Sequence, residues 1–325
     1  MFAELPKLFD RNFAMAFFLP FIVFLWLFVE VLSIFELSVN LIEIVRVDLV
    51  VRTGILFLVS WLGGIFLLVT NQGLYQTLEG YGKWNPLRFF GWIERRKFLY
   101  LVSEIDVLDN NFLEAYEGGK EVPAKLSEKR DDYMMTYAKR FPDKEEFLLP
   151  TAFGNTIRAF EVYPRVMYGI ESIDGWSRLL AVIPSDYREL MDNAKAHVDF
   201  WVNIGFLSLF LLLEYLGFAI YYKNSPAWWI AILLLLTTAI SPRLARNSAV
   251  AWGDYVKAAF DIFGPKMREV LAIAMPKNRI EETKQWTGFS QAIIYRRPDV
   301  MPRLRIKPSS PKYISGSAPK RKREK

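Results

Sequence analysis

Two carboxylates interrupt stretches that are otherwise almost wholly apolar, and they are the residues of this chain best placed to do chemistry. Glu30 falls in the run Phe13–Phe35 and Glu214 in Phe200–Tyr222. A carboxylate inside a membrane-crossing helix costs roughly 3 kcal/mol to insert and faces the protein interior or water. Counted at 1.5 Å per residue from the first residue of each run, Glu30 and Glu214 lie about 26 and about 21 Å deep. Both therefore fall in the outer half of a bilayer core of ~30 Å. Two acids at matched height can form a cation-attracting ring in an oligomer, or a proton-binding pair. The competing reading is a buried Glu bonded to Ser33, Ser60 or Tyr215 that serves only to hold helices together, or a Glu at the interface.

Small and polar side chains accompany the acids. Ser60, Gly63, Gly64, Leu67 and Asn71 recur at helical spacing along and just past Thr53–Thr70. Asn203, Leu207, Phe210, Glu214, Gly217 and Tyr221 share a face of the third apolar run. Small residues let helices approach closely, and the same stripes can line a water-filled path. The expected ion pathway thus comprises Glu30, Glu214, Ser60, Asn71 and Asn203.

A third cluster occupies LPTAFGNTIRAFEVYPRVMYGIESIDGWSRL, residues 149–179. Asn155, Arg158 and Glu161 lie three apart on a short helix that Pro164 is expected to end, and Arg165, Tyr168, Glu171, Asp174 and Arg178 follow closely. A guanidinium–carboxylate network of this kind binds a phosphate-bearing ligand or lipid headgroup through the Arg forks, or ties the segment to a neighbouring subunit. Asn155, Arg158, Glu161, Arg165 and Tyr168 are its candidate ligand or partner residues.

Enzyme templates fail. Cysteine is absent and His197 is the single histidine, which excludes disulfides, thiolate zinc sites, thiol nucleophiles and a multi-histidine metal centre. There is no P-loop, dinucleotide fingerprint or GxSxG, and His197 has no sequence-local Ser/Asp pair to work with. Neither an enzyme nor a cofactor is expected.

The elements that must hold these residues follow from hydropathy. The chain is 52% hydrophobic and 16% aromatic, against about 45–50% apolar for ordinary soluble domains. Four runs are long and apolar enough to span: Phe13–Phe35, Thr53–Thr70, Phe200–Tyr222 and Pro226–Ser241, the last with Trp228 and Trp229 where an interfacial aromatic belt would sit. The first run lacks a basic leader and a cleavage site, so a true span is expected rather than a signal peptide. Lys/Arg placement orients them. Lys7 and Arg11 precede the first span, Lys83, Arg88, Arg95, Arg96 and Lys97 follow the second, and Arg243, Arg246 and Lys257 follow the fourth. Only Arg46, Arg52 and Lys223 lie on the opposite side. Both termini are expected in the cytoplasm.

The resulting order is an N-terminal hairpin over 1–70, a helical cytoplasmic block over 71–199, a second hairpin over 200–241, cytoplasmic helices over 242–300 and a basic tail over 301–325. That tail holds nine Lys/Arg and one Glu, a net of +8, which leaves residues 1–300 at −2 within the whole-chain +6. It is too poor in apolar residues to fold. Its basic end suits an anionic inner leaflet, and nucleic acid is not an expected partner. Residues 84–100 interleave six aromatics with basic side chains and suit a helix at headgroup level. Helices are expected over 103–117, capped by Ser103, over 124–141, and from Ser185 without a break into the third span. Pro242 should end the fourth span, with a helix over Leu244–Phe263 that Gly264-Pro265 breaks and Lys266–Met275 resumes.

The 149–179 stretch, with AWGDYVKAAFDIF at 251–263 and more weakly QTLEGYGKWNPLR at 76–88, resembles a family of bacterial multipass membrane proteins of unknown activity. Its members share LPT…GN…RA…E…YP…YGI and YGD…AAFD patterns, and here Trp252 stands where the aromatic is usually Tyr. The resemblance implies a bacterial source and a shared fold. At the level of fold alone, the alternation of hairpins and cytoplasmic helices is similar to bestrophin channels, without matching motifs. The expected protein is mainly α, a four-span helical membrane protein with a helical cytoplasmic domain. It is expected as a homo-oligomer in the bacterial inner membrane, working as a channel or pore with cation preference gated by its cytoplasmic helices. The alternative is a membrane-anchored sensor or scaffold that binds an anionic ligand or protein partner through residues 149–179.

Overall fold

The computed structural model describes residues 10–37, 49–119 and 121–302. Lys7, Glu43, Arg46 and nearly all of the basic tail lie outside them. The described residues are helical, with no strand among them. In chain order the helices are α1 (Arg11–Ile34), α2 (Leu49–Glu79), α3 (Gly91–Glu117), α4 (Ala124–Arg140), α5 (Ala152–Tyr168), α6 (Ser172–Leu180), α7 (Ser185–Tyr222), α8 (Trp229–Val270) and α9 (Arg279–Ile294). Four of them, α1, α2, α7 and α8, are long and apolar enough to cross a membrane; α2 and α7 contain Thr53–Thr70 and Phe200–Tyr222 whole, α1 stops one residue short of Phe35, and α8 starts at Trp229 rather than Pro226.

Helices α7 and α8 form the axis of the molecule and share its largest interface. They join at a hairpin tip, residues 223–228, and run from there past a shared base. Close approach is built in: a Cβ on Gly205 of α7 would lie 3.1 Å from Ser241 of α8, and one on Gly253 would meet the Phe160 ring. The main core gathers Phe153, Ile157 and Phe160 of α5, Val198 and Val202 of α7, Val256 and Phe260 of α8, and Trp286 and Phe289 of α9. A smaller cluster, Phe13, Phe17, Leu67 and Ala196, seats α1 and α2 on α7. Helices α3 and α4 pair through Phe98, Leu101 and Ile105 against Tyr133, Tyr137 and Phe141.

Proline explains the shape of α1. Pro20 brings no N–H to the carbonyl of Ala16, and its ring crowds that carbonyl. The helix opens there into a π turn over Ala14–Phe18, with the Leu19 N–H reaching back to the Ala14 carbonyl. The Ala16 carbonyl instead accepts a 2.8 Å bond from Asn203 Nδ2 on α7.

Several expected boundaries are corrected. Pro164 does not end α5, which continues to Tyr168 and closes at Gly169 with φ +85°. Apolar contacts along α5 hold the turn that proline weakens, and the left-handed backbone at Gly169 ends it, a position that must be glycine because a Cβ there would strike the Thr283 carbonyl and the Thr287 hydroxyl. Neither Pro242 nor Gly264-Pro265 breaks α8, a single helix of 42 residues. Beside Pro242, Ser241 Oγ donates back to the Thr237 carbonyl at 2.7 Å and the turn is pressed against α7. The helix ends at Val270, before Met275. Ser103 does not cap a helix: it lies inside α3, its Oγ donating to the Tyr100 carbonyl at 2.8 Å. Helix α7 begins at Ser185, directly after Pro184, and runs unbroken to Tyr222 as expected.

Candidate functional site

Polar chemistry collects in three places: near the hairpin tip, at the base of α2 and α7, and beside α5. Near the tip, Val31 of α1 and Phe35 just past its end pack with Tyr215 of α7, so the neighbouring Glu30 and Glu214 sit at matched height on adjacent helices. The Tyr215 hydroxyl donates to the Pro226 carbonyl at 2.6 Å, which sets both acids level with the start of α8 and its exposed Trp228 and Trp229. Glu214 is half-buried. Its Oε2 is enclosed without a hydrogen-bond partner and the side chain lines a cavity of about 470 Å³ with Leu37, Gly217, Phe218, Tyr221 and Tyr222. Glu30 is exposed on the outer face of α1, one turn beyond the exposed Trp26. Among the described residues, no hydrogen bond or ion pair engages either carboxylate.

Ser60, Asn71 and Asn203 lie elsewhere. All three are buried within the chain and do not reach the two acids. Asn203 holds α7 to the π turn of α1. Asn71, at the base, belongs to a network that sequence reasoning passed over. Asp199, 4% exposed, accepts bonds from Asn71 Nδ2 at 3.0 Å and the Tyr75 hydroxyl at 2.7 Å. Lys195 Nζ reaches its two oxygens at 3.0 and 2.8 Å. Lys195 also lies over the rings of Tyr75 and Trp252, so α2, α7 and α8 meet at one carboxylate. The i,i+4 spacing of Lys195 and Asp199 is the signal that could have found it. His197, on the same helix, is exposed.

Beside α5, the expected network divides into three. Asn155 closes the preceding turn, its Oδ1 accepting from the Leu149 N–H at 2.7 Å and its Nδ2 donating to the Leu149 carbonyl at 3.0 Å. Tyr168 turns the other way, where it and Tyr163 donate to Asp261 at 2.6 and 3.0 Å. Burial, reinforced by that carboxylate, pushes the Tyr163 phenol up to about 12 and raises Tyr168 further. Arg158, Glu161 and Arg165 remain together. Arg158 donates to the Tyr81 hydroxyl and pairs with Glu161 at 3.4 Å, and Arg165 lies 3.7 Å from Asp143 with its guanidinium 4.0 Å over the Phe147 ring. They line a cavity of about 130 Å³ shared with Glu171, Ser172 and Asp174 at the start of α6. Burial raises the Glu161 carboxyl above its ordinary range, and Arg158 opposes the shift.

The chain matches no protein-family model, no curated protein and no solved structure among those compared with it.

Proposed function

We propose that the chain crosses the bacterial cytoplasmic membrane four times with both termini in the cytoplasm, and that copies of it assemble into a cation-preferring channel. The reading rests on one observation: Glu30 and Glu214 sit at matched height with no hydrogen-bond or ion-pair partner among the described residues. An acid on an apolar helix face requires water or another protein surface beside it. A ring of such acids around an oligomer axis supplies both, and attracts cations at the mouth. Their level beside Trp228 and Trp229 puts the ring toward the outer interface. Ser60, Asn71 and Asn203 are then structural residues rather than pore lining. The Asp199 network, where α2, α7 and α8 meet, is where movement of the cytoplasmic helices would reach the spans.

Conductance of the purified protein in planar bilayers, wild type against Glu30→Gln/Glu214→Gln, tests the reading. The expected result is a current whose cation preference falls in the variant. Current indifferent to both substitutions removes the acids from the path, and silence from a correctly folded oligomer removes the channel.

The cavity between Arg158 and Arg165 favours a second reading, a membrane-anchored sensor or scaffold for an anionic ligand or partner. It expects Arg158→Ala to abolish partner capture while membrane insertion is unchanged.

A further inference from the structure

Helix α3 has two apolar faces, and only one is used. Phe98, Leu101, Ile105 and Leu108 are buried, the first three against the α4 side of the hairpin. Around the helix, Trp92, Arg95, Arg96, Leu99, Tyr100 and Ser103 form a shallow exposed groove of about 460 Å³. Trp92 and Tyr100 are 56% and 58% exposed, and just ahead of the helix Trp84 and Phe89 are 97% and 75% exposed. A helix in water does not leave this much aromatic surface uncovered without an occupant.

Charge narrows the occupant. Arg95 pairs with Glu145 at 2.5 Å and Lys97 with Glu94 at 2.6 Å. Lys83, Arg88 and Arg96 have no ion-pair partner among the described residues, and Arg96 stacks over the Trp92 ring at 5.9 Å. A two-fold contact of this face with its copy would set these cations against their own counterparts. Aromatics flanked by unpaired cations instead match the boundary between acyl chains and phosphate.

Position agrees. The field of Glu94, on the first turn of α3, reaches Arg246 of α8. Arg246 lies five residues past Ser241, about 7.5 Å at helical rise, and Ser241 still faces Gly205 within the paired spans. Pro150 lies between α2 and α3: a Cβ on Gly80, just past α2, would come within 2.9 Å of it, and one on Gly91 at the start of α3 within 3.6 Å. The groove therefore begins beside the base of the spans.

We infer that the Trp92–Ser103 groove, with Trp84, Phe89 and Arg88, is a docking surface for the headgroups of anionic phospholipids in the leaflet next to the base of the spans. This rests on the proposed membrane crossing, and the test separates the two. The chain contains no cysteine, so single cysteines at Leu99 in the groove, Leu58 on α2 and Ile173 on α6 report without background. Each is spin-labelled in the full chain in vesicles of phosphatidylcholine alone or mixed with phosphatidylglycerol. The Leu99 label is expected to favour oxygen over a water-soluble relaxant in the mixed vesicles, as Leu58 does, while Ile173 favours the aqueous reagent. Native mass spectrometry is expected to show phosphatidylglycerol retained over phosphatidylcholine, with the preference falling about fivefold for each charge removed in Arg88→Gln and Arg96→Gln. An aqueous Leu99 label beside a lipid-exposed Leu58 overturns the docking surface alone. An aqueous Leu58 overturns the membrane crossing and the docking surface with it. Dipolar broadening between Leu99 labels of two copies assigns the groove to a subunit interface and overturns the lipid.

Discussion

The two ends of α7 treat a carboxylate in opposite ways. At the base, Asp199 is almost wholly buried and accepts from three side chains, Asn71, Tyr75 and Lys195. Near the tip, Glu214 keeps one enclosed oxygen unpartnered, and Glu30 at the same height is exposed. A buried carboxylate that is fully hydrogen-bonded is part of the fold, and removing it leaves its donors stranded. A carboxylate that its own chain does not satisfy contributes little to that chain's stability and points to something outside it. The same apolar helix thus carries one acid for structure and another available for function.

The sharpest way to break the contrast is to remove each acid in turn. Asp199→Leu leaves Lys195 uncompensated and strands Asn71 and Tyr75, so a loss of about 3–5 kcal/mol is expected. Glu214→Gln and Glu30→Gln keep the shape of the side chain and break no bond among the described residues, so changes within about 0.5 kcal/mol are expected. Unfolding in detergent micelles checks all three. A Glu214→Gln loss as large as that of Asp199→Leu would make the tip acid structural and remove the main support for the channel.

A smaller effect separates Asn203 from the pore it was expected to line. Asn203→Ala leaves the Ala16 carbonyl without its donor, at a cost of about 1–3 kcal/mol. Restoring an N–H one turn later should recover much of that loss, so Pro20→Ala is expected to be better tolerated in the Asn203→Ala background than alone. The double-mutant cycle measures this coupling. A pore-lining Asn203 would instead alter conductance and show no coupling to residue 20.

How much of this was legible in the sequence depended on how local each cause was. The four apolar runs and the unbroken α7 follow from hydropathy and the absence of a breaker between Tyr187 and Asn224, and the structure has them. Proline misled three times, at Pro164, Pro242 and Pro265, because its cost is written in the sequence while the tertiary contacts that offset it are not. Pro20 announces that a carbonyl one turn back needs a donor, yet nothing local names Asn203, 187 residues away. Around 149–179 the right residue types were identified, but 13 residues at 100° each set Tyr168 about 220° round the helix from Asn155. One helix could not aim both at a single ligand, and of the five candidate residues only Arg158, Glu161 and Arg165 line the cavity. The two faces of α3 illustrate the converse: the mixed aromatic and basic residues were legible, but which of them α4 would cover was not.

The smallest expected effect concerns Asp261, a fourth carboxylate, held by two phenols near the protein surface. Its donors Tyr163 and Tyr168 have folded pKa values raised above the ordinary value of about 10, Tyr163 to about 12. The folded state therefore holds these protons more tightly than the unfolded chain. Below pH ~10 both states are protonated and the full contribution is present. Between that pH and about 12 the unfolded chain releases its phenolic protons first, so stability falls as pH rises, and it is lost once the folded phenols ionise. Tyr168→Phe removes one of the two titrations together with its bond to Asp261. The variant should start slightly less stable at neutral pH and lose less on going to alkaline pH, which unfolding curves across that range can resolve. An unchanged alkaline slope would mean that Asp261 does not hold the Tyr168 proton, and would set this surface carboxylate with the unpartnered acids of the tip rather than with Asp199.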